Sequence, residues 1–272
     1  MEDEKRIQFI RQTFDTVCSN YGQGALRFFQ TAAERLPGLL DLKGDEQVLD
    51  AAAGTGLATV QFAARVPKGG VRGIDLSEGM LQKARERAHS LKLENIEFQQ
   101  MDMSRLDFPE NHFDVINSSF GVFFVEDMQY LMRLLASRLK PGGRLLTTHF
   151  AAGSMSPMTE MIRDRLALYD VEVPTLSWTR VQNESLNGEL YSSADLVNIR
   201  HKRSQVGYFF PDANAWWDVV WWAGYRGFVQ QVPEQKLEQF KAEHLAEVGQ
   251  LVTDEGIWFN VELIHTVGEK PL

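Results

Sequence analysis

Along the first 150 residues, the hydrophobic pattern switches repeatedly between two periods. Short apolar runs that end in a polar residue are typical of buried strands, and the segments after them carry apolar residues three or four positions apart, as helices do. The strands are predicted at residues 47–50, 71–75, 95–99, 113–118 and 144–149, and the helices at 57–64, 78–91 and 127–139. This alternation predicts an α/β fold with a doubly wound, parallel sheet and right-handed crossovers.

The segments on either side of this core are predicted to be mainly helical. Residues 4–36 indicate two helices with a bend near Tyr21, which are either core helices or a lid over a ligand. Further on we expect a helix at 155–169, a loop or cap at 170–190, a helix capped by Ser192 and running through residue 198, a strand at 206–210, helices at 212–222 and 234–248, and a last strand at 257–263. The chain is interpreted as a single domain over 1–272, with a helical lid at 1–40, a cofactor-binding core at 41–150, a cap or acceptor segment at 151–205, and a sheet edge with helices at 206–272.

Composition narrows the range of partners. The 272 residues are 44% hydrophobic and 24% charged, as in ordinary globular proteins, and the net charge of −9 disfavours binding to nucleic acid. Cys18 is the only cysteine, so neither an internal disulfide nor a multi-cysteine zinc site is expected, and no metal site is predicted. No apolar run approaches the roughly 20 residues that span a bilayer, and no signal peptide is apparent. We therefore expect a cytoplasmic protein without a membrane span.

The first predicted strand runs into a turn of small residues at positions 50–56, Asp-Ala-Ala-Ala-Gly-Thr-Gly, which is followed by a helix. Small side chains let a ligand approach the backbone, and the amide groups at the start of the helix point toward it. A phosphate-binding P-loop would require Gly-Lys-Ser/Thr at its end, and this turn has no lysine. A dinucleotide-binding turn would require a third glycine or alanine where Thr59 stands. A turn that only packs the helix on the strand is the plain alternative.

Polar residues are predicted at the carboxyl end of each core strand, the edge at which open parallel sheets bind ligands. They are Asp50, Asp75, Asp102, Asn117 and His149. Asp75 follows Gly56 by 19 residues, close to the spacing of about 20 at which an acid holds ribose hydroxyls, although a lone acid there is commonly a surface residue. Asp102 stands between Met101 and Met103, so its carboxylate can accept a hydrogen bond from an adenine amino group while apolar side chains enclose the ring.

These motifs, in this order, make the chain similar to class I S-adenosylmethionine-dependent methyltransferases, the broad group that includes ubiquinone/menaquinone methyltransferases. The loop of that family is an acid followed by three glycines at alternate positions. Asp50, Gly54 and Gly56 match it, and Ala52 stands where the first glycine would be. The resemblance is carried by residues 48–56, 73–80, 100–102, 113–116 and 139–144. It implies a Rossmann-like, doubly wound sheet of seven strands, mostly parallel with an antiparallel last strand, plus a helical lid and cap.

The resemblance also implies the cofactor S-adenosyl-L-methionine and the residues that bind it. The glycine loop would hold the methionine part, Asp75 the ribose and Asp102 the adenine, and Asn117 with Ser118 would line the methyl group. Residues 14–21 resemble the family's N-terminal signature, although residue 22 is a glycine where an acid is usual. The predicted cofactor-binding set is Tyr21, Asp50, Ala51, Ala52, Ala53, Gly54, Thr55, Gly56, Asp75, Leu76, Met80, Met101, Asp102, Met103, Asn117 and Ser118.

The reaction implied by this cofactor is an in-line displacement, for which a protein mainly aligns the reactants and excludes water. A general base is required only if the acceptor must lose a proton. His149 is the candidate for that role, and a buried structural histidine is the alternative. A protein that binds the cofactor without transferring methyl, or that uses the bound sulfonium to steer another reaction, is an open alternative function. An NAD-dependent oxidoreductase is less favoured, because Thr59 replaces the third glycine.

The aromatic content points to the kind of acceptor. We expect a small apolar or aromatic organic molecule as the acceptor, with no nucleic acid as a partner and a homodimer as a candidate assembly. Arg163, Arg165 and Arg180 are candidate partners for an acidic group on the acceptor, although arginines on helices are usually solvated. Four tryptophans in the segment 216–222 either pack its helix onto the sheet or form a wall of the acceptor pocket.

Overall fold

The computed structural model describes residues 2–272, and the strands lie close to where the hydrophobic pattern predicts them. They are β1 (Gln47–Ala51), β2 (Gly70–Asp75), β3 (Ile96–Gln100), β4 (Phe113–Ser119), β5 (Leu139–Phe150), β6 (Val197–Gln205), β7 (Tyr208–Phe210), β8 (Ile257–Phe259) and β9 (Glu262–Glu269). The α-helices are α1 (Glu2–Val17), α2 (Phe28–Arg35), α3 (Leu57–Arg65), α4 (Glu78–Ser90), α5 (Met128–Arg138), α6 (Met158–Ala167), α7 (Glu184–Ser192), α8 (Ala213–Trp222), α9 (Arg226–Val229) and α10 (Glu234–Gly249).

Seven strands form the central sheet in the order β3-β2-β1-β4-β5-β9-β6, and β7 pairs with β8 in a separate two-stranded sheet. The strands from β3 to β5 in this order are parallel, whereas β9 runs antiparallel to both β5 and β6. The order of the strands reverses between β1 and β4, and such a switch point opens a crevice at the carboxyl ends of the strands. The predicted doubly wound, mostly parallel sheet with an antiparallel last strand is confirmed.

Both faces of the sheet are covered, which explains why the residues in the middle of β1 and β4 are apolar. Alternate side chains of a strand point to opposite faces. Val48, Val115 and Leu146 belong to one buried cluster, which includes residues of α2, α3, α6, α8 and α10. Leu49 and Ile116, one position further along β1 and β4, belong to a second cluster, which includes residues of α5 and α7. The carboxyl ends of the strands are thereby held in fixed relative positions.

Local capping explains where several helices begin. The Ser77 hydroxyl accepts a hydrogen bond from the Met80 amide at the start of α4, as predicted, at 3.0 Å. Asp127 caps α5 in the same way through the Tyr130 amide, at 2.8 Å. Asp212 lies at the cap position of α8 and accepts a hydrogen bond from the amide two residues further on. These bonds satisfy amide groups that have no partner within the helix.

The prediction for the segment after α6 is partly wrong. Residues 170–190, expected to be a loop or cap, contain most of α7, and Asn183 caps it by accepting a hydrogen bond from the Leu186 amide at 2.9 Å. Ser192 ends α7 instead of capping a helix, and the expected helix through residue 198 is absent, because a turn at 193–195 leads into β6. β6 lies at an edge of the sheet and is largely exposed, so it carries Arg-His-Lys-Arg instead of an apolar alternation.

The last predicted strand, at 257–263, overlaps two separate strands in the structure. Residues 257–259 form β8, which pairs with β7 outside the central sheet, and the true last strand of that sheet is β9. Within residues 2–272, no helix is both long enough and apolar enough to cross a membrane.

Candidate functional site

A cavity lies at the carboxyl ends of β1, β2, β3 and β4, where the switch point places a ligand site. It encloses about 970 Å³, part of which is open to solvent. Most of the predicted cofactor-binding residues line it: Tyr21, Asp50, Ala52, Ala53, Gly54, Thr55, Asp75, Leu76, Met80, Met101 and Met103. The structure thus brings the loop, the acid after β2 and the methionines around one space.

The turn of small residues passes very close to α4. Gly54 and Gly56 have φ of 54° and 77°, in the left-handed region that favours glycine. A Cβ on Gly56 would lie 2.9 Å from the Cβ of Ala84, so the close approach also requires glycine there. The Thr55 hydroxyl is buried in the cavity wall and has no hydrogen-bond partner among the described residues. An unpartnered hydroxyl beside the N-terminus of α3 is suited to a polar or anionic ligand group.

Ala52, the departure from the family's loop, is accommodated by a glycine elsewhere in the chain. It has φ of 70°, a conformation that is unfavourable for alanine. A Cβ on Gly121 would lie only 2.6 Å from the Cβ of Ala52. The Ala52 methyl group therefore occupies space that is free only because residue 121 has no side chain. The sequence contains no local signal for this pair, because the contact joins the loops after β1 and β4.

Asp75 is held in place by two backbone amides. Its carboxylate accepts hydrogen bonds from the amides of Gly54, at 2.8 Å, and Ser77, at 2.9 Å. Burial raises the pKa of Asp75 to about 6. The group is therefore mostly ionised at neutral pH, and the remaining lone pairs of its oxygens are available to hydroxyl donors in the cavity.

Asp50 forms a buried polar link beneath the loop. Its two oxygens accept hydrogen bonds from the Thr59 hydroxyl, at 2.5 Å, and from the side-chain amide of Asn117, at 2.7 Å. Burial raises the pKa of Asp50 above its usual range. Thr59, which stands where a dinucleotide turn would need its third glycine, thus helps to orient the carboxylate that begins this loop.

The other predicted cofactor-binding residues do not line the cavity. They are Ala51, Gly56, Asp102, Asn117 and Ser118. The Asp102 carboxylate accepts hydrogen bonds from the amide and hydroxyl of Ser104, at 2.8 and 2.7 Å, and so closes its own turn. Its contact with adenine stays a prediction. The Ser118 hydroxyl is buried without a partner among the described residues, close to Gly121.

His149 is fully buried and is not among the residues that line the cavity. Neither ring nitrogen has a hydrogen-bond partner among the described residues, and the ring meets Phe123 at a centroid distance of 6.0 Å. Burial lowers the pKa of His149 to about 3, so the ring is neutral at physiological pH. Its role as a base stays a prediction that gains no support from this position.

The aromatic helix α8 lies away from the cavity. Trp216 is fully buried, and its indole N–H donates to Nε2 of His244 at 2.8 Å. None of the four tryptophans of α8 lines the cavity. Their position matches the plainer alternative, in which they pack the helix into the core.

The rest of the cavity wall comes from the N-terminal helices, which the sequence predicted only as a general lid, and from the end of β4 with the loop that follows it. α1 contributes Ile10, Arg11 and Phe14, and α2 contributes Phe29 and Ala33. The loop after β4 adds an aromatic and small surface of Ser119, Phe120, Gly121 and Phe124. Helical spacing on α1 was visible in the sequence, but the surface that it covers was not.

Polar contacts attach α1 at both ends of the cavity. The Asp15 carboxylate accepts hydrogen bonds from the Ser77 hydroxyl, at 2.5 Å, and from the Gly79 amide, at 3.1 Å. The Arg6 guanidinium donates to the Phe124 carbonyl. Between them, the Phe14 ring packs edge-on against Phe124, with centroids 5.5 Å apart. We define this arrangement of α1 over the cavity as the lid.

Comparison with known proteins agrees with this geometry. A family profile described as a methyltransferase domain matches residues 48–143. The aklanonic acid methyltransferase DauC of Streptomyces sp. (strain C5) is 32% identical over 57% of this chain and 71% of its own length. The ubiquinone/menaquinone biosynthesis C-methyltransferase UbiE of Pseudomonas fluorescens (strain Pf0-1) is 32% identical over 58% of this chain and 64% of its own length. The solved structure of the YcgJ protein of Bacillus subtilis shares the fold, with a TM-score of 0.61 and 22% identity over 89% of this chain and 99% of that chain.

The chain belongs to the class I S-adenosylmethionine-dependent methyltransferases. This membership confirms the predicted family, the class of enzyme and the cofactor. The cavity also fits that cofactor on its own geometry, because one wall combines an oriented carboxylate, an unpartnered hydroxyl at a helix start and three thioether side chains. Among the side chains that the structure describes, no group of three or more histidine, cysteine or acidic residues is arranged to hold a metal ion.

The contact between the lid and α4 yields a first prediction. Replacing Asp15 by alanine removes both hydrogen bonds to the start of α4, and we expect the dissociation constant for S-adenosylmethionine to rise about five-fold, equivalent to roughly 1 kcal/mol. Calorimetric titration measures it. Asp15→Asn keeps an acceptor oxygen and serves as the matched control, with an affinity close to that of the unmodified chain. Equal affinities for all three proteins would show that the lid contact plays no part in binding.

Proposed function

We propose that this protein transfers a methyl group from S-adenosylmethionine to a small apolar or aromatic organic acceptor by in-line displacement. One observation carries the proposal. A single cavity joins the residues suited to the cofactor with an aromatic compartment formed by Phe14, Phe29, Phe120 and Phe124. Donor and acceptor can therefore share one enclosed space, as the displacement requires.

In this proposal the cofactor is held by the wall at the strand ends. Asp75 accepts the ribose hydroxyls, the methionine side chains and Leu76 contact the adenine, and the loop at residues 52–56 with the Thr55 hydroxyl receives the methionine part. When bound, the cofactor supplies a methyl group already activated by a positively charged sulfur. The Asp50–Asn117 link keeps the loop in place from below.

The acceptor compartment is proposed to act through alignment and exclusion of water. Alignment of two reactants can contribute on the order of 7–11 kcal/mol to catalysis without any acid or base. The aromatic rings of the lid and of the loop after β4 pack against one another, as in the edge-on pair Phe14–Phe124 with centroids 5.5 Å apart. The name of the relative DauC, an aklanonic acid methyltransferase, supports a small organic acceptor.

Two measurements test the proposal. Calorimetry with S-adenosylmethionine, S-adenosylhomocysteine and NAD should show binding of the first two and none of the third. A screen of aromatic acceptors should then give acceptor-dependent formation of S-adenosylhomocysteine. Binding without turnover across a broad screen would favour a protein that holds the cofactor without transferring methyl. A preference for NAD would contradict the proposal altogether.

A further inference from the structure

The ionisable side chains on the cavity wall are few, and most are already engaged. Among the described lining residues they are Arg11, Tyr21, Asp50 and Asp75. Both carboxylates accept hydrogen bonds on each of their oxygens. Arg11 is the one cation in this set, and it forms no hydrogen bond or ion pair with another described residue. It lies on the lid, lines the cavity and is exposed to solvent.

Apart from Asp50 and Asp75, whose oxygens all accept hydrogen bonds, the same wall offers no group that could remove a proton from a neutral acceptor. No histidine, lysine, cysteine or glutamate occurs among the described lining residues. Burial and the charge of Asp75 raise the pKa of Tyr21 above its usual range, so that its hydroxyl stays protonated. The Ser77 hydroxyl donates to Asp15. An acceptor whose nucleophile must first be deprotonated would find no base here other than these two carboxylates, of which we assign Asp75 to the ribose and Asp50 to the link beneath the loop.

An acceptor that arrives already ionised needs no base, but it needs a counter-charge. Moving an anion from water into an apolar compartment is costly unless it is paired. The net charge of −9 makes a local cation still more important. An arginine guanidinium can pair with a carboxylate through two parallel hydrogen bonds, and Arg11 is free to do so.

We propose that the acceptor is an ionised organic acid with a planar apolar body, and that Arg11 pairs with its anionic group. This inference rests on the proposed function and names the substrate class of the same cavity. A lone pair of the ionised oxygen forms the new bond to the methyl carbon, and the carbon–sulfur bond breaks with its electron pair left on sulfur. The products are a neutral methylated acceptor and S-adenosylhomocysteine, and no proton has to leave.

The arginines that the sequence suggested for this role are less suitable. Arg165 bonds to Glu243 and Glu247, and Arg180 donates to the carbonyls of Val125 and Glu126. Neither these two nor Arg163 lines the cavity. Arg11 was not identified from the sequence, because only the packing of the lid brings it to the cavity.

The test measures binding to the full chain loaded with S-adenosylhomocysteine. Naphthoate and anthracenecarboxylate are titrated beside their neutral carboxamides, which have nearly the same shape. We expect the acids to bind more tightly than the carboxamides. In Arg11→Gln the acids should lose about ten-fold in affinity while the carboxamides and S-adenosylmethionine bind as before. Arg133→Gln, an exposed residue of α5, is the matched control and should change nothing.

Several other results of these titrations would overturn the inference or the proposed function. Equal affinity for acids and carboxamides, absence of binding by the acids, or an equal loss for both in Arg11→Gln overturns the inference. A loss of S-adenosylmethionine affinity in Arg11→Gln with the acid preference intact assigns Arg11 to the cofactor and also overturns it. If the unmodified chain fails to bind S-adenosylhomocysteine, the proposed function fails and this inference fails with it.

Discussion

Asp75→Ala is expected to weaken S-adenosylmethionine binding by about 3 kcal/mol, roughly a hundred-fold in the dissociation constant. The physical reason is the loss of two charge-assisted hydrogen bonds to the ribose, each worth about 1.5–3 kcal/mol. The substitution also removes the acceptors that position the Gly54 and Ser77 amides. Calorimetric titration of the purified variant measures the change.

Two further variants make this result specific. Asp75→Asn keeps one acceptor oxygen and should show an intermediate loss. Asp107→Ala removes an exposed acid and should leave the affinity unchanged. If Asp75→Ala binds the cofactor as tightly as the Asp107 control, the ribose does not lie on this carboxylate.

Because the pKa of Asp75 is raised, both the cofactor affinity and the free energy of unfolding should depend on pH. The ribose hydroxyls donate to the ionised form, so protonation competes with binding, and affinity should fall by up to about ten-fold per pH unit below about 6. The effect on folding has the opposite sign. The native state binds more protons than the unfolded chain between pH 3.8 and about 6, so this group's contribution to the free energy of unfolding declines as the pH rises through that window. Titrations of Asp75→Asn should lack both dependences.

Gly121→Ala is expected to lower the free energy of unfolding by about 1–3 kcal/mol, the usual cost of overpacking a core. The new Cβ would lie 2.6 Å from that of Ala52 and 3.0 Å from the Ser118 hydroxyl. Gly121 has φ of −109°, which alanine adopts readily, so the loss arises from the contact alone. Denaturant unfolding measures it, and cofactor affinity should fall as well because Ala52 is displaced.

The double variant separates this contact from a general effect of the substitution. In the Ala52→Gly background the methyl group is absent, so Gly121→Ala should cost at least about 1 kcal/mol less than it does alone. Gly38→Ala is the matched control, because nothing lies within 4 Å of its Cβ position. The same destabilisation by Gly121→Ala in both backgrounds would contradict the proposed fit between residues 52 and 121.

These predictions concern different parts of one arrangement. In our proposal Asp75 and the loop hold the cofactor, and the close approach of Ala52 and Gly121 joins two neighbouring loops. The lid contributes aromatic surface and, in our proposal, the charge that selects the acceptor. We therefore expect Asp75→Ala to act mainly on cofactor affinity, Gly121→Ala mainly on stability and Arg11→Gln on acceptor preference.

Local features of the chain could be predicted from the sequence alone. The apolar runs of β1, β2, β4 and β5 are buried on both faces, so burial alone dictates their composition. The Ser77 cap is a contact between residues three positions apart, so it can be predicted from the local sequence. The turn at residues 50–56 is recognisable from its run of small side chains. The family resemblance rests on these same short stretches, and it led to the cofactor.

Contacts between segments that are distant along the chain could not be predicted from the sequence. β6 is an exposed edge strand whose charges hide its conformation, and only its pairing with β9 defines it as a strand. The strand-end position of Asp102 predicted a place on the cavity wall, yet its side chain bonds to Ser104.

The sequence by itself determined the order of strands and helices through β5, the loop and the carboxylate at the end of β2, because short-range sterics, capping and burial act between neighbouring residues. Only the tertiary structure decided that α1 supplies Arg11 to the cavity, that Gly121 makes room for Ala52, and that His149 is enclosed away from the site. Each of these depends on surfaces that come into contact only when the chain has folded. The spacing of residues along the sequence does not indicate which surfaces will pack together.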